Sequence, residues 1–350
     1  MKCLTYKQKA EWNDCVKSFP DWDVYYLCEY AESLMLHGDG EPILLCYEDA
    51  HVRMCYVVMK NDVASCPHFE NQLPYGLYFD FETPYGYGGP LIDGDFSSHS
   101  QRQFIVQLQA FCEQTGVVSQ FIRFNPLLDN QAHFTEVSDN VYLKDTVYID
   151  TSSERNISAN MDSTNRNKIR KAQNAGIQII KAPIGDDSAF LEMYRETMQQ
   201  RHADHYYYFS EPYFEFLQTA LEDNVAIFYA MLDSKPVGGA VFLYTGKTMH
   251  YHLAGMHAAY RPLAAATLLI YEAAIWANHQ GISRLHLGGG LKAEDDLFTF
   301  KKQFNRAGRL PFYIGRTIFI PSAYDYLLGI RQQLRPDFSR DNDFMIQYRG

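Results

Sequence analysis

Apolar positions along the first half of the chain change between helical and extended spacing. Around Glu11 to Phe19 and Val24 to Leu36 they recur at intervals of three and four and predict helices. The second closes at His37-Gly38, where glycine accepts the left-handed backbone of a helix cap. Residues 42–48 and 51–60 predict a hairpin about a short polar turn, because Val52, Met54, Tyr56 and Val58 alternate as one face of a half-buried strand. A strand at 77–81 leads into the glycine- and proline-rich loop 83–91, which breaks any ladder. A helix over Ser98 to Gln114 then closes at Gly116, before a strand at 118–124.

The second half repeats this grammar. Residues 226–232 and 237–244 form a hairpin about Asp233-Ser234-Lys235-Pro236, a third strand covers 248–255, and the helix Leu263 to His279 closes at Gly281 before a strand at 284–289. Between the halves the pattern predicts a helix up to Ala175 capped by Gly176, a strand at 177–183, and helices over Ser188–Arg201 and Ser210–Leu221. Recurrence of helix, glycine and strand at Gly116 and Gly281 is read most simply as a duplicated α/β unit with a linker near 150–154. At 350 residues the chain also exceeds what one hydrophobic core usually serves. Two domains are therefore expected, 1–152 and 153–318. The tail from about 319 to 350 should pack on the first, because its last strand and helix have no partner left in the second.

Composition supports a folded chain: 47% hydrophobic and 15% aromatic residues supply ample core. The formal net charge of -11 argues against a surface coated for nonspecific nucleic-acid binding. Two segments reverse that sign locally. Residues 166–181 contain Arg166, Lys168, Arg170, Lys171 and Lys181, and residues 300–316 contain Lys301, Lys302, Arg306, Arg309 and Arg316, with no acid in either. Each is readable as a solvated face, yet together they leave room for a phosphate-bearing ligand. All seven cysteines lie between Cys3 and Cys112 with no C-x-x-C pair, so neither a disulfide framework nor a zinc site is indicated. His202 and His205 lack an evident third ligand, and no metal is expected. The N-terminus lacks an apolar signal-peptide region, and the longest apolar run, 263–277, is short of membrane length and carries Glu272. A soluble cytoplasmic protein with no transmembrane segment is the expectation.

The most informative stretch is HLGGGLKAEDDLFTFKKQFN at 286–305. Its glycines follow a strand but lack the spacing of a nucleotide-binding loop. With RNKIRKAQNAGI at 166–177, PYGYGGP at 84–90 and PVGGAVFLYTGKTMHYHLAG at 236–255, LGGG followed by LFTFKKQF resembles the FemAB family of aminoacyl transferases, which build peptide crosslinks in peptidoglycan from aminoacyl-tRNA. The likeness spans nearly the whole chain, and its most specific part is the F-K-x-x-F unit. It implies two tandem domains of the GNAT acyltransferase fold, each a mixed, mainly antiparallel sheet flanked by helices, and an enzyme that forms an amide on an amine acceptor.

Such a reaction needs an activated acyl ester, an unprotonated amine and a positive or hydrogen-bonding group near the oxyanion that forms. The resemblance aligns Lys301 with the lysine that serves the reaction in characterised relatives. Lys302, about 100° round a helix, is assigned to solvent, and Phe300 and Phe304 to the buried stripe. Phe300, Tyr251 and Gly288, Gly289 and Gly290 are taken to line the site, the glycines giving a ligand's backbone room. Asp295 and Asp296 suit the start of the helix, with a general-base role for Asp295 left open. Tyr85, Tyr87, Arg201 and Tyr208 are the acceptor-binding candidates, and Arg261, Arg306 and Arg309 the donor-binding ones.

Aminoacyl-tRNA is the expected donor, a peptidoglycan-precursor stem peptide the acceptor, with peripheral contact to a membrane-bound precursor, and no cofactor is held permanently. Acyl-coenzyme A is the alternative donor. GNAT enzymes that use it hold its pyrophosphate at a Q/R-x-x-G-x-G/A segment opening a helix, but residues 261–266 put Ala264 where glycine is expected. A catalytically silent module keeping the fold is the third reading.

Overall fold

The computed structural model describes residues 1–183, 185 and 188–350. The chain begins β1 (Lys2–Thr5), α1 (Lys9–Lys17), α2 (Cys28–His37), β2 (Glu41–Glu48), β3 (Val52–Asp62), β4 (Phe79–Glu82), β5 (Leu91–Gly94), α3 (Ser98–Thr115) and β6 (Val117–Arg123). It continues through β7 (Asp139–Asp150), α4 (Glu154–Asn160), α5 (Ser163–Asn174), β8 (Gln178–Lys181), α6 (Ser188–Gln200), α7 (Glu211–Ala220), β9 (Val225–Leu232), β10 (Lys235–Tyr244) and β11 (Thr248–Met256). It closes with α8 (Ala265–His279), β12 (Arg284–Gly288), α9 (Asp296–Lys302), β13 (Arg309–Ile318) and α10 (Pro321–Leu334).

Two compact units divide this chain, residues 1–143 with 312–350, and residues 144–311. The joints thus fall inside β7 and β13 rather than near 152 and 318. The reason is pairing: β7 as far as Asp150 is laddered to β12, so the expected linker at 150–154 instead ends a strand and starts α4. In the first unit β1 to β4 run antiparallel, with β5 on the far part of β3. β4 then pairs parallel with β6, which pairs antiparallel with residues 314–318 of β13. The second unit builds the same plan, with β8 to β11 antiparallel, β11 parallel to β12, and β12 antiparallel to β7. Each sheet is mixed and mainly antiparallel, and in each the parallel pair is joined by a long helix, α3 or α8.

Local sequence explains most element ends. Gly116 caps α3 at φ +70, and Asp233 and Ser234 both take positive φ, as a two-residue hairpin turn with the twist of its strands requires. Two expected helices are interrupted. The segment 24–36 is a short 3-10 turn at Val24–Tyr26 followed by α2, because Leu27 is extended. The helix before Ala175 is broken at Met161, where Asp162 starts α5 afresh by accepting from the Thr164 N–H at 2.8 Å.

The core of the first unit lies partly under α3, where Phe104, Leu108 and Cys112 meet Tyr56, Phe124 and Phe134. A second cluster gathers Val63, Phe69, Val118, Tyr324, Leu327 and Tyr348 about α10. In the second unit α8 contributes Leu268, Leu269, Ile270 and Ala273 to the core between the sheet and the helices α4 and α5, and Phe298 and Phe304 join it. No helix among the described residues is long and apolar enough to cross a membrane.

Candidate active site

In the second unit the parallel ladder between β11 and β12 covers only Thr248–His250 against Arg284–His286. Where it stops, both strands are irregular. The register of β11 on β10 skips His252, and that of β12 on β7 skips Leu287. Bulges at this point turn the two strands out of register, a common device beside active sites. His252 is used by the protein itself, its Nε2 lying 2.9 Å from the Tyr213 hydroxyl, and burial lowers its pKa to about 3.

Beyond the split, β12 ends at Gly288, which has φ +72, and the chain turns into α9. Asp295 holds this turn, its carboxylate accepting from the N–H groups of Leu291 (2.7 Å), Lys292 (2.9 Å) and Phe298 (2.8 Å). Burial would raise its pKa, but these three donors and Lys144 outweigh it and leave the carboxyl below its ordinary value. A carboxylate so committed is a helix cap, and a general-base role for it has no support in this geometry. The glycines answer to the same constraint. A Cβ on Gly290 would meet the Asp295 carboxylate at 1.9 Å, and one on Gly289 would meet the Asp145 carbonyl oxygen at 2.9 Å. Their clearance serves the protein's own turn, where a ligand's backbone was expected.

Two ammonium groups converge on this turn. Lys301 Nζ donates to the Gly289 carbonyl at 2.7 Å, and Lys144 Nζ donates to the carbonyls of Gly290 (2.6 Å) and Leu291 (3.1 Å). Lys301 is 7% exposed, with its ammonium 6.0 Å from the Tyr251 ring centre. Burial, then repulsion from Lys144 and Arg201, lowers its pKa to about 7, against a weaker pull from Asp295. Lys302, the next position on the helix, is half-exposed. Phe304 is fully buried, whereas Phe300 is half-buried, edge-on to Phe304 at 5.4 Å and beneath the Lys168 ammonium at 5.8 Å.

Of the candidates read from sequence, the second unit thus brings together Lys301, Tyr251, Gly288, Gly289, Gly290 and the charge of Arg201, an exposed residue just past α6. Tyr208, half-exposed, follows the short turn His205–Tyr207. Tyr85 and Tyr87 belong to the first unit. There the Tyr85 carbonyl accepts from the Tyr30 hydroxyl at 2.6 Å, the Tyr85 ring lies 5.8 Å from the Arg123 guanidinium, and Tyr87 packs edge-on against Phe312 at 5.3 Å and Tyr25 at 5.9 Å. Lys144 was not legible: it sits on a strand 157 residues before Lys301, in no motif.

The donor-side arginines divide. Arg306 is exposed. Arg309 is ion-paired with Asp145 at 2.6 Å and with Glu294, and it stacks over Phe298 at 5.2 Å, so its charge is largely used internally. Arg261 donates to Gln200. It lies in the 3-10 turn Ala258–Leu263, which is docked on α6 by Glu196, the acceptor for the Ala258 N–H (3.1 Å) and the partner of His257 Nδ1 (2.5 Å).

Ala264 then starts α8 in the left-handed region, at φ +60 and ψ +31, and its N–H is spent on the Arg261 carbonyl. The backbone keeps the conformation that glycine favours while the residue carries a Cβ, at a cost of about 1 kcal/mol. Ala264→Gly is accordingly expected to raise unfolding free energy by roughly 0.5–1 kcal/mol in urea titration. A loss of stability would show that the Cβ packs usefully.

The second unit has the GNAT acyltransferase fold, and residues 159–302 match the family model described as Acetyltransferase (GNAT) domain. Among solved structures, the chain is similar to FemX at 13% identity, with a TM-score of 0.66 over 93% of this chain and 99% of that one. It is also similar to a conserved protein from Bacteroides thetaiotaomicron VPI-5482 (11% identity, TM-score 0.59, 89% and 97% covered) and to L-PGS from Bacillus licheniformis (11%, 0.53, 93% and 96%). At such identity these likenesses establish the fold, a tandem one spanning both units. No curated protein matches the chain.

Proposed function

We propose that the chain forms an amide by moving an aminoacyl group from aminoacyl-tRNA to an amine, with a peptidoglycan-precursor stem peptide as acceptor. The observation that carries this reading is the buried Lys301 ammonium at the end of β12, beside the gap where β11 and β12 part. The amine attacks the ester carbonyl, and the carbonyl oxygen gains negative charge. The ester C–O bond then breaks, and the departing ribose oxygen takes up a proton. Lys301 stabilises the charge on either oxygen, at a position already desolvated and held by the Gly289 carbonyl. Arg201 adds positive charge on the same side and suits a phosphorylated acceptor.

Aminoacyl-tRNA is favoured as donor by the start of α8. The Ala264 Cβ occupies the left-handed slot, Pro262 has no N–H, and the Ala264 N–H and the Arg261 guanidinium are engaged within the protein. Coenzyme A remains the second reading. The observation in its favour is the first turn of the 15-residue α8, where backbone N–H groups favour an anion.

Binding separates the two. Uncharged tRNA should bind with an affinity that falls steeply as salt rises, and Arg306→Glu should weaken it and reduce the salt slope by about one or two ions without changing the melting temperature. Salt-insensitive binding of acetyl-coenzyme A with no tRNA affinity would replace the proposal with the second reading. Binding of neither would favour a silent module.

A further inference from the structure

The first unit carries a group of thiols that the proposed reaction does not use. Cys46 on β2 and Cys55 on β3 are register partners, so their side chains share one face of the sheet. Cys15, in the last turn of α1, lies over that face with its Sγ 3.8 Å from Cys46 Sγ. Cys15 and Cys46 are partly exposed, whereas Cys55 is fully buried. Two cations border the group. Lys2 stands opposite Cys46 on β1, and Arg53 lies two residues before Cys55, where the strand alternation returns it to the same face.

Such surroundings favour a thiolate. S–H donation from Cys46 and then Cys55 holds the Cys15 thiol well below its ordinary range, with Arg53 and Lys2 reinforcing it against burial. Cys3 provides a contrast within the same unit. It is partly exposed like Cys15, but it pairs with Leu45 in the ladder and burial raises its pKa.

We propose that Cys15 and Cys46 are a reversible redox modification site, in which a low-molecular-weight disulfide oxidises the pair to a disulfide. The Cys15 thiolate attacks one sulfur of the reagent, whose S–S bond breaks and releases one thiolate, to be protonated by solvent. Cys46 then loses its proton and attacks Sγ of the mixed disulfide on Cys15, expelling the second thiol. Two protein thiols are oxidised by two electrons, and one small disulfide is reduced to two thiols. The two sulfurs must close from 3.8 Å to about 2 Å. The last turn of α1, next to its cap at Ser18, is the segment placed to make that movement. The bond would tie α1 to β2.

The test uses the full-length protein incubated with excess glutathione disulfide and quenched with acid, one part read directly by intact mass and the other alkylated for peptide mapping. Expected are a mass loss of about 2 Da, a linked Cys15–Cys46 peptide in most molecules, an unmodified Cys3, and a melting temperature higher by roughly 5 °C. Cys46→Ser should accumulate the glutathione adduct on Cys15, and Cys15→Ser should leave Cys46 unmodified. Glutathione retained on Cys15 of the wild type, Cys3 modified as fast as Cys15, or no reaction at any of the three would each overturn the proposal. The comparison of Cys15 with Cys3 is made within one unmutated molecule and so does not depend on the variants folding.

Discussion

Lys301→Ala is expected to lower turnover by about 10²-fold or more, the scale of losing one oxyanion donor, with no loss of melting temperature. The stability half follows from the same burial that places the ammonium. Lys301 has a pKa of about 7 in the folded chain against an ordinary value of 10.5, so below pH 7 folding carries the cost of burying a charge. That cost is relieved as pH rises from about 7 towards 10.5, because there the unfolded chain binds the proton that the folded chain has lost. Lys301→Met should therefore melt higher than wild type at pH 7 while turning over as slowly as Lys301→Ala.

Activity should move the opposite way. The ratio of wild-type to Lys301→Met turnover cancels titration of the amine substrate. It should be largest below pH 7 and fall roughly tenfold per unit above it. A ratio that rises with pH would make Lys301 a base. Lys302→Ala, at the neighbouring half-exposed position, should leave turnover within about twofold. Equal small losses at both lysines would remove Lys301 from the chemistry.

The largest stability effect is expected in the first unit, where the end of the described chain docks on β4. Asp80 is fully buried and receives a two-pronged ion pair from Arg349, Nε to Oδ2 at 2.7 Å and Nη2 to Oδ1 at 2.8 Å. The Tyr348 hydroxyl adds a bond to Oδ2 at 3.1 Å and lies 2.9 Å from Ser119 Oγ. Removing one partner leaves an uncompensated charge out of water, so Arg349→Ala should cost about 3–5 kcal/mol in urea unfolding. The double variant Asp80→Asn with Arg349→Met should cost less than the sum of its single changes, because neither charge is then left alone. A cost below about 1 kcal/mol for Arg349→Ala would mean that water replaces the pair and that the tail contributes little.

Much of the site was legible because its signals are local. The family resemblance of the F-K-x-x-F unit singles out Lys301 within a few residues, and an aspartate three residues before Phe298 is an ordinary cap. What was not legible depends on residues far apart in sequence. The charge of Lys144 reaches Lys301 only because β7 pairs with β12, and no spacing in the sequence encodes that register. Gly289 and Gly290 looked like clearance for a ligand because the Asp145 backbone and the Asp295 carboxylate that need the room cannot be seen from a glycine run.

The fold divides similarly. Alternating strands and glycine-capped helices mark both units, but the joints lie within continuous strands, where no change in composition marks them. The extended Leu27 between Tyr26 and Cys28, and the fresh start at Asp162, interrupt apolar patterns that read as continuous helix.

Aminoacyl transfer at the Lys301 site is tested most directly by mass spectrometry of products formed from charged tRNA, or from acetyl-coenzyme A, with amine acceptors including a peptidoglycan-precursor stem peptide. The expected result is an acceptor heavier by one amino-acid residue, formed from charged tRNA by the wild-type protein and absent with Lys301→Ala. An acetylated acceptor alone, or an aminoacylated product undiminished in the Lys301 variant, would contradict it.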